Sequence, residues 1–154
     1  MRQLFLILAF ISTGSLLYAQ DNATLRTRHF NLDNEIAISG YDAVAYMQQN
    51  KAVKGKKEFA ATYEGVTYYF ANAADRDAFK NNPTMYEPQY GGWCAYAMGK
   101  KGEKVSIDPG TFKIANGKLY LFYNKYFNNT LTDWNKDEAN LKAKADANWQ
   151  KTFH

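Results

Sequence analysis

The sequence predicts an α+β fold, with a small antiparallel sheet built from hairpins and packed against a short helix and a long C-terminal helix. Three observations predict it. Two pairs of strand-like runs are joined by the two-residue turns Glu64-Gly65 and Asn116-Gly117. Between them lies a helical segment that opens at Asn72 and stops at Asn82-Pro83. After them, Trp134, Leu141, Ala145 and Trp149 recur at the helical period. Strands, helix, strands, helix is the order of an α+β domain.

The chain opens with MRQLFLILAFISTGSLLYAQ. Arg2 is a short basic start, Leu4 to Ile11 is an apolar run, and Ala19 is a small residue at a cleavage position. Residues 1–19 therefore read as a signal peptide, and the protein as exported, periplasmic or secreted. The apolar run is broken by Ser12, Thr13, Gly14 and Ser15. A stable span needs about 20 apolar residues, so no membrane span is expected after processing. Residues 20–29 are polar and without period, as in a flexible arm. Residues 30–154 are expected to form one domain, with no internal repeat or linker.

Within that domain, Ser39-Gly40-Tyr41-Asp42 is a turn, and Asp42 can cap the apolar segment Ala43 to Met47. Lys56 to Tyr63 and Val66 to Ala71 alternate as strands. In the first, Phe59, Ala61 and Tyr63 share a face; in the second, Val66, Tyr68 and Phe70 do. Asn72 caps a helix over Ala73 to Asn81, with Ala74, Ala78 and Phe79 on its apolar side. Thr84 to Tyr90 reads as a loop, and Gly91 to Gly99 as either a short helix or a packed strand. Glu103 to Ile107 looks like a strand and Asp108-Pro109-Gly110 like a turn. Thr111 to Ala115 and Lys118 to Asn124 flank Asn116-Gly117, the strongest hairpin signal in the chain. One long helix is expected from Thr132 or Asp133 to about Lys151.

Composition narrows the function classes. The 154 residues are 46% hydrophobic and 16% aromatic, which is globular and excludes general disorder. The net charge of +4 is spread along the chain, without the one-sided clustering and known module of a nucleic-acid binder. Cys94 is the one cysteine, so no internal disulfide can form and the core must supply the stability. There is no HExxH, CxxC, EF-hand or phosphate-loop pattern. The histidines are His29 and His154, and neither sits in a motif.

At Asp42-Ala-Val-Ala-Tyr-Met47, Tyr63-Glu-Gly-Val-Thr-Tyr-Tyr-Phe70, Phe79-Lys-Asn-Asn-Pro83 and Tyr86 the chain resembles the YHS domain. Pro88-Gln-Tyr-Gly-Gly-Trp-Cys-Ala95 through Asp108-Pro109, Gly117-Lys-Leu-Tyr-Leu121 and Ala147-Asn-Trp149 resemble the longer exported branch of that family. The resemblance implies a YHS-like fold over residues 30–154 and a module of the kind that binds metal through cysteines. Its metal site does not carry over. The family's thiolate positions fall on Ala45, Ala71 and Asp75, none of which is a soft ligand.

The candidate binding residues are Tyr41, Asp42, Tyr90, Cys94 and Asp108. Cys94 and Met98 stand four residues apart and would share a helix face, where a thiolate and a thioether could hold a soft ion such as copper. The other reading makes Cys94 a small core residue. Asp42 and Asp108 could work as a carboxylate pair in a Tyr-lined cleft, or simply cap backbone N–H groups. The leading expectation is a binding or accessory module for a metal ion or small ligand, leaning away from catalysis. The rivals are a small enzyme using Asp42 and Asp108, and a structural interaction domain.

Overall fold

The computed structural model describes residues 13–152, and side chains from Asp21 to Thr152. Helix α1 spans Thr13–His29. The strands β1 (Leu32–Asp33) and β2 (Ile36–Ala37) follow, then α2 (Ala43–Gln49), β3 (Lys56–Tyr63), β4 (Val66–Phe70), α3 (Ala73–Asn81) and α4 (Pro83–Tyr86). The second half runs α5 (Ala95–Lys101), β5 (Asp108–Ala115), β6 (Lys118–Phe122), β7 (Asn124–Lys125), β8 (Asn128–Asn129), α6 (Thr130–Lys136) and α7 (Glu138–Thr152). This is an α+β domain. One sheet has the order β1-β2-β4-β3, and β5-β6 and β7-β8 are separate ribbons. Most pairs are antiparallel, but β2 runs parallel to β4 through Ile36 and Thr67.

Both expected hairpins form. Tyr63 pairs with Val66 and Ala115 with Lys118. Their turns, Glu64-Gly65 and Asn116-Gly117, take positive φ at both residues, the twist that matches two-residue hairpins. Val66, Tyr68 and Phe70 are buried on one face of β4, and Phe79 of α3 packs against Tyr68 and Phe70. Asn72 caps α3 by accepting the Asp75 N–H at 2.9 Å.

The domain repeats one unit, contrary to the expectation of no internal repeat. α2 and α5 are Ala43–Gln49 and Ala95–Lys101, β3 and β5 are Lys56–Tyr63 and Asp108–Ala115, and β4 and β6 are Val66–Phe70 and Lys118–Phe122. Every boundary in the second copy lies 52 positions after its counterpart. The details repeat too. Ile36 bridges Thr67 in parallel, and Pro88 bridges Leu119 likewise. A left-handed turn at residues 38–40 recurs at 90–92. The Asp42 N–H donates to Val53 O at 2.9 Å, and the Cys94 N–H to Val105 O at 2.9 Å. The β3–β4 ladder slips between Lys56 and Ala60, and the β5–β6 ladder between Asp108 and Phe112.

Several expectations are corrected. Residues 20–29 are no flexible arm: they complete α1. Arg26 holds them down, donating through Nε to Glu64 O at 3.3 Å and pairing with the partly buried Glu87 carboxylate. Its guanidinium also lies over the Phe30 and Tyr63 rings. A sequence window shows no period here because polar contacts do much of the docking, with Asn22 donating to Glu64 and the His29 carbonyl accepting from Trp93 besides the Arg26 contacts. Residues 1–12 of the expected signal peptide lie outside the described residues. No helix among the described residues is long and apolar enough to cross a membrane.

Residues 103–107 form no strand. The Val105 carbonyl accepts from Cys94 N–H at the start of α5, so this segment follows the helix start rather than a strand neighbour. Asp108-Pro109-Gly110 is the bulged opening of β5, not a free turn. The expected loop over Thr84 to Tyr90 contains α4, since proline is well suited to the first helical position. The expected long C-terminal helix is two helices. Asp137 leaves the helical region (φ −150°, ψ 45°), and its carbonyl accepts from Leu141 N–H to start α7. Trp134 stays fully buried on α6, with Leu141 and Ala145 on α7. In α3, Ala74, expected on the apolar side, is exposed, and its neighbour Asp75 is buried instead.

Candidate functional site

Asp42 is fully buried at the N-terminus of α2. Its Oδ1 accepts from Val44 N–H (2.8 Å) and Ala45 N–H (3.1 Å), and its Oδ2 from Ala71 N–H (2.7 Å). One carboxylate thus ties the start of α2 to the residue after β4. Burial pushes its pKa up to about 6, the bonds from Ala71 and Ala45 N–H oppose that, and the neighbouring Asp75 carboxyl adds to it. The fold therefore gathers positions 42, 45, 71 and 75, which lie apart in the sequence. Asp42 is spent on backbone groups, as a cap, and it is closed to solvent. That is not the open carboxylate of a Tyr-lined catalytic cleft.

Cys94 takes the equivalent position in the second copy, where its side chain makes the same tie to the residue after the hairpin without capping the helix. It is fully buried at the N-terminus of α5, and its Sγ accepts from Tyr123 N–H at 3.3 Å. Tyr123 follows β6 as Ala71 follows β4. Sγ also lies 3.4 Å from Thr130 Oγ1. Thr130 has one hydroxyl proton, and it goes to Tyr123 O at 2.9 Å. The proton between sulfur and oxygen is therefore the thiol's own. Cys94 donates to Thr130 and accepts from Tyr123, which satisfies it as a buried polar group.

The other candidates do not join these two. Tyr41 is half-buried with the Lys54 ammonium 4.7 Å above its ring. Asp108 accepts from Gly110 N–H (3.1 Å) and Thr111 Oγ1 (2.8 Å), closing the β5 bulge. Asp42, Asp108 and Tyr41 share one neighbour, the buried Tyr46 phenol. Desolvation raises its pKa first, and those three groups add to the rise. Tyr90 is on another wall, donating to Asp146 at 2.8 Å. Met98 is buried against Trp134 and Leu141 in a second core cluster, whereas Cys94 belongs to the first. The tyrosines likewise go to separate partners, with Tyr68 donating to Glu87 and Tyr46 to Pro109 O. Among the described residues no group of three or more His, Cys, Asp or Glu side chains converges.

What the second copy does offer is a groove of about 310 Å³ with Cys94 in its wall. That volume is at the lower end of small-molecule sites. Tyr96, Ala97, Val105 and Tyr123 give it an apolar body, Asn128 and Thr130 add polar groups, and Lys100, Lys101 and Glu103 edge it. Lys100 and Lys101 are exposed. A second groove of about 360 Å³, lined by Tyr90, Glu87, Asp146 and Trp149 among others, runs beside α7. The sequence marked Cys94 and Tyr90, while the lysines bunched at Lys100–Lys104 read there only as solvated surface charge.

No protein-family profile, curated protein or solved structure matches this chain.

Proposed function

We propose that this chain is an exported YHS-like binding module that holds a small organic anion in the groove beside Cys94. The observation that carries the reading is the groove's chemistry: an apolar and aromatic body with two exposed lysines at its edge. Few, well-placed polar groups around an apolar hollow are the usual make-up of a ligand site. The soft-metal alternative is weaker, because the Cys94 thiol is engaged with Thr130 and Tyr123, and Met98 packs in a different cluster. Export is supported by the leader sequence alone. Cleavage after Ala19 would keep Arg26 and its docking contacts in the mature chain.

The test uses anilinonaphthalene sulfonate, an aromatic anion, as a probe of the folded mature chain. Saturable binding that is lost in Ala97→Trp, and weakened in Lys100→Glu/Lys101→Glu, is the expected result. Absence of saturable binding, or binding indifferent to Ala97→Trp, would remove the proposal. Metal analysis of the same preparation tests the alternative. Stoichiometric copper lost on Cys94→Ser would replace the organic anion with a metal ion.

A further inference from the structure

The second copy of the repeat carries an addition that the first lacks. In the first, a single residue, Ala71, separates β4 from Asn72, the cap of α3. In the second, residues 123–128 separate β6 from Asn129, the cap of α6. The extra length is folded into the β7–β8 ribbon, with Asn124 paired to Asn129 and Lys125 to Asn128. The first copy closes the same junction without it, so the repeat does not need this ribbon to fold.

The tip of the ribbon is Tyr126-Phe127. The two residues are 89% and 112% exposed, the most exposed large apolar residues among those described. Both have positive φ (52° and 63°), a turn that favours Asn and Gly and that bulky residues rarely enter. Local folding therefore gives no reason for two aromatics at this point. The ribbon is nonetheless held at its base. Asn124 Nδ2 donates to Thr111 Oγ1 at 2.9 Å, and Thr130 N–H to Tyr123 O at 3.0 Å.

We propose that the Tyr126-Phe127 tip docks this protein on an anionic lipid surface. The charge around it fits. No acidic residue occurs from Lys118 to Thr132, and Lys125 stands beside the tip. Lys100 and Lys101 line the same groove as Asn128, the residue after the tip, with Glu103 3.9 Å from Lys101. Exposed aromatics with basic neighbours suit the headgroup layer, where rings insert and lysines reach phosphates. The shape argues against a protein partner. A stable protein interface buries about 800 Å² on each side around a packed centre, and two side chains on a projecting turn supply no such face.

Sedimentation with vesicles tests this on the leader-free chain, so that the apolar leader contributes nothing. The chain should pellet with mixed phosphatidylglycerol–phosphatidylcholine vesicles at low salt, and much less with phosphatidylcholine alone. Tyr126→Asn/Phe127→Gly restores favoured turn residues, and its circular dichroism should match the parent. Its partitioning should fall by at least about tenfold, given the apolar area removed. Lys125→Glu should lower partitioning roughly fivefold or more. A parent chain that stays in the supernatant, or a double variant that binds equally well, would overturn the proposal. So would self-association of the parent through Tyr126 and Phe127 without vesicle binding, which would make a second copy the occupant.

Discussion

Asp42 and Cys94 occupy the same position in two copies of one folding unit, 52 residues apart. Each stands at the N-terminus of a seven-residue helix, and each accepts the N–H of the first residue after the following hairpin. One copy uses a carboxylate, the other a thiol. The equivalence explains why two residues of such different chemistry are both fully buried. Each is the knot that ties a helix start to a strand end.

Cys94 should therefore behave as a structural thiol. Iodoacetamide should modify it slowly in the folded protein and rapidly in denaturant. Cys94→Ala leaves Tyr123 N–H without its acceptor and should cost about 1–2 kcal/mol by denaturant unfolding. Fast alkylation of the native chain would contradict this.

The Asp42–Asp75 pair should make stability depend on pH. Asp42 has a folded-state pKa of about 6, above its usual 3.8. Between those values the folded chain binds more protons than the unfolded one, so the pair's contribution declines as pH rises from about 4 to about 6. Asp75→Asn removes the facing charge, while the buried Tyr46 phenol remains near Asp42. Relative to the parent, Asp75→Asn should be more favourable at pH 7.5 than at pH 4 in paired urea titrations. An identical difference at both pH values would count against the coupling.

Arg26 should be the anchor of α1. It is buried and pairs with the largely buried side chain of Glu87, which also accepts from the Tyr68 hydroxyl at 2.5 Å. Removing one member of a buried pair strands the other, at a cost of about 3–5 kcal/mol. Arg26→Ala and deletion of residues 20–29 should both lower the unfolding midpoint strongly. A thermal melt equal to the parent's would show that the helix is not integral to the domain.

Gly99 should resist substitution. A Cβ there would lie 2.4 Å from the backbone oxygen of Leu141, because α5 packs closely on α7. Gly99→Ala should destabilise by about 1–3 kcal/mol through overpacking, measured by chemical denaturation.

The Tyr126-Phe127 turn should be suboptimal for folding. Bulky residues in left-handed backbone cost about 1–2 kcal/mol each. Tyr126→Asn/Phe127→Gly should raise the melting temperature by an amount calorimetry can read, and a lowered one would count against this.

What the sequence by itself determined is local. Glu64-Gly65 and Asn116-Gly117 mark turns because their backbone demands are met within two residues. Asn72 and Asp42 mark helix starts because a short polar side chain reaches the N–H groups just after it. Tertiary structure decided the rest. The repeat was hidden because, between residues 36 and 71, only Gly40, Ala43, Ala45, Val53, Gly65, Tyr68 and Phe70 meet an identical residue 52 positions later. Backbone hydrogen bonds conserve the unit while most side chains have changed. The groove beside Cys94 draws on α5, the segment after it and the ribbon base, which no window of sequence brings together. Arg26 finds Glu87 across 61 residues, and Asp75 faces Asp42 only because α3 packs back onto the start of α2. Such contacts are set by how elements stack, and stacking is a property of the whole chain.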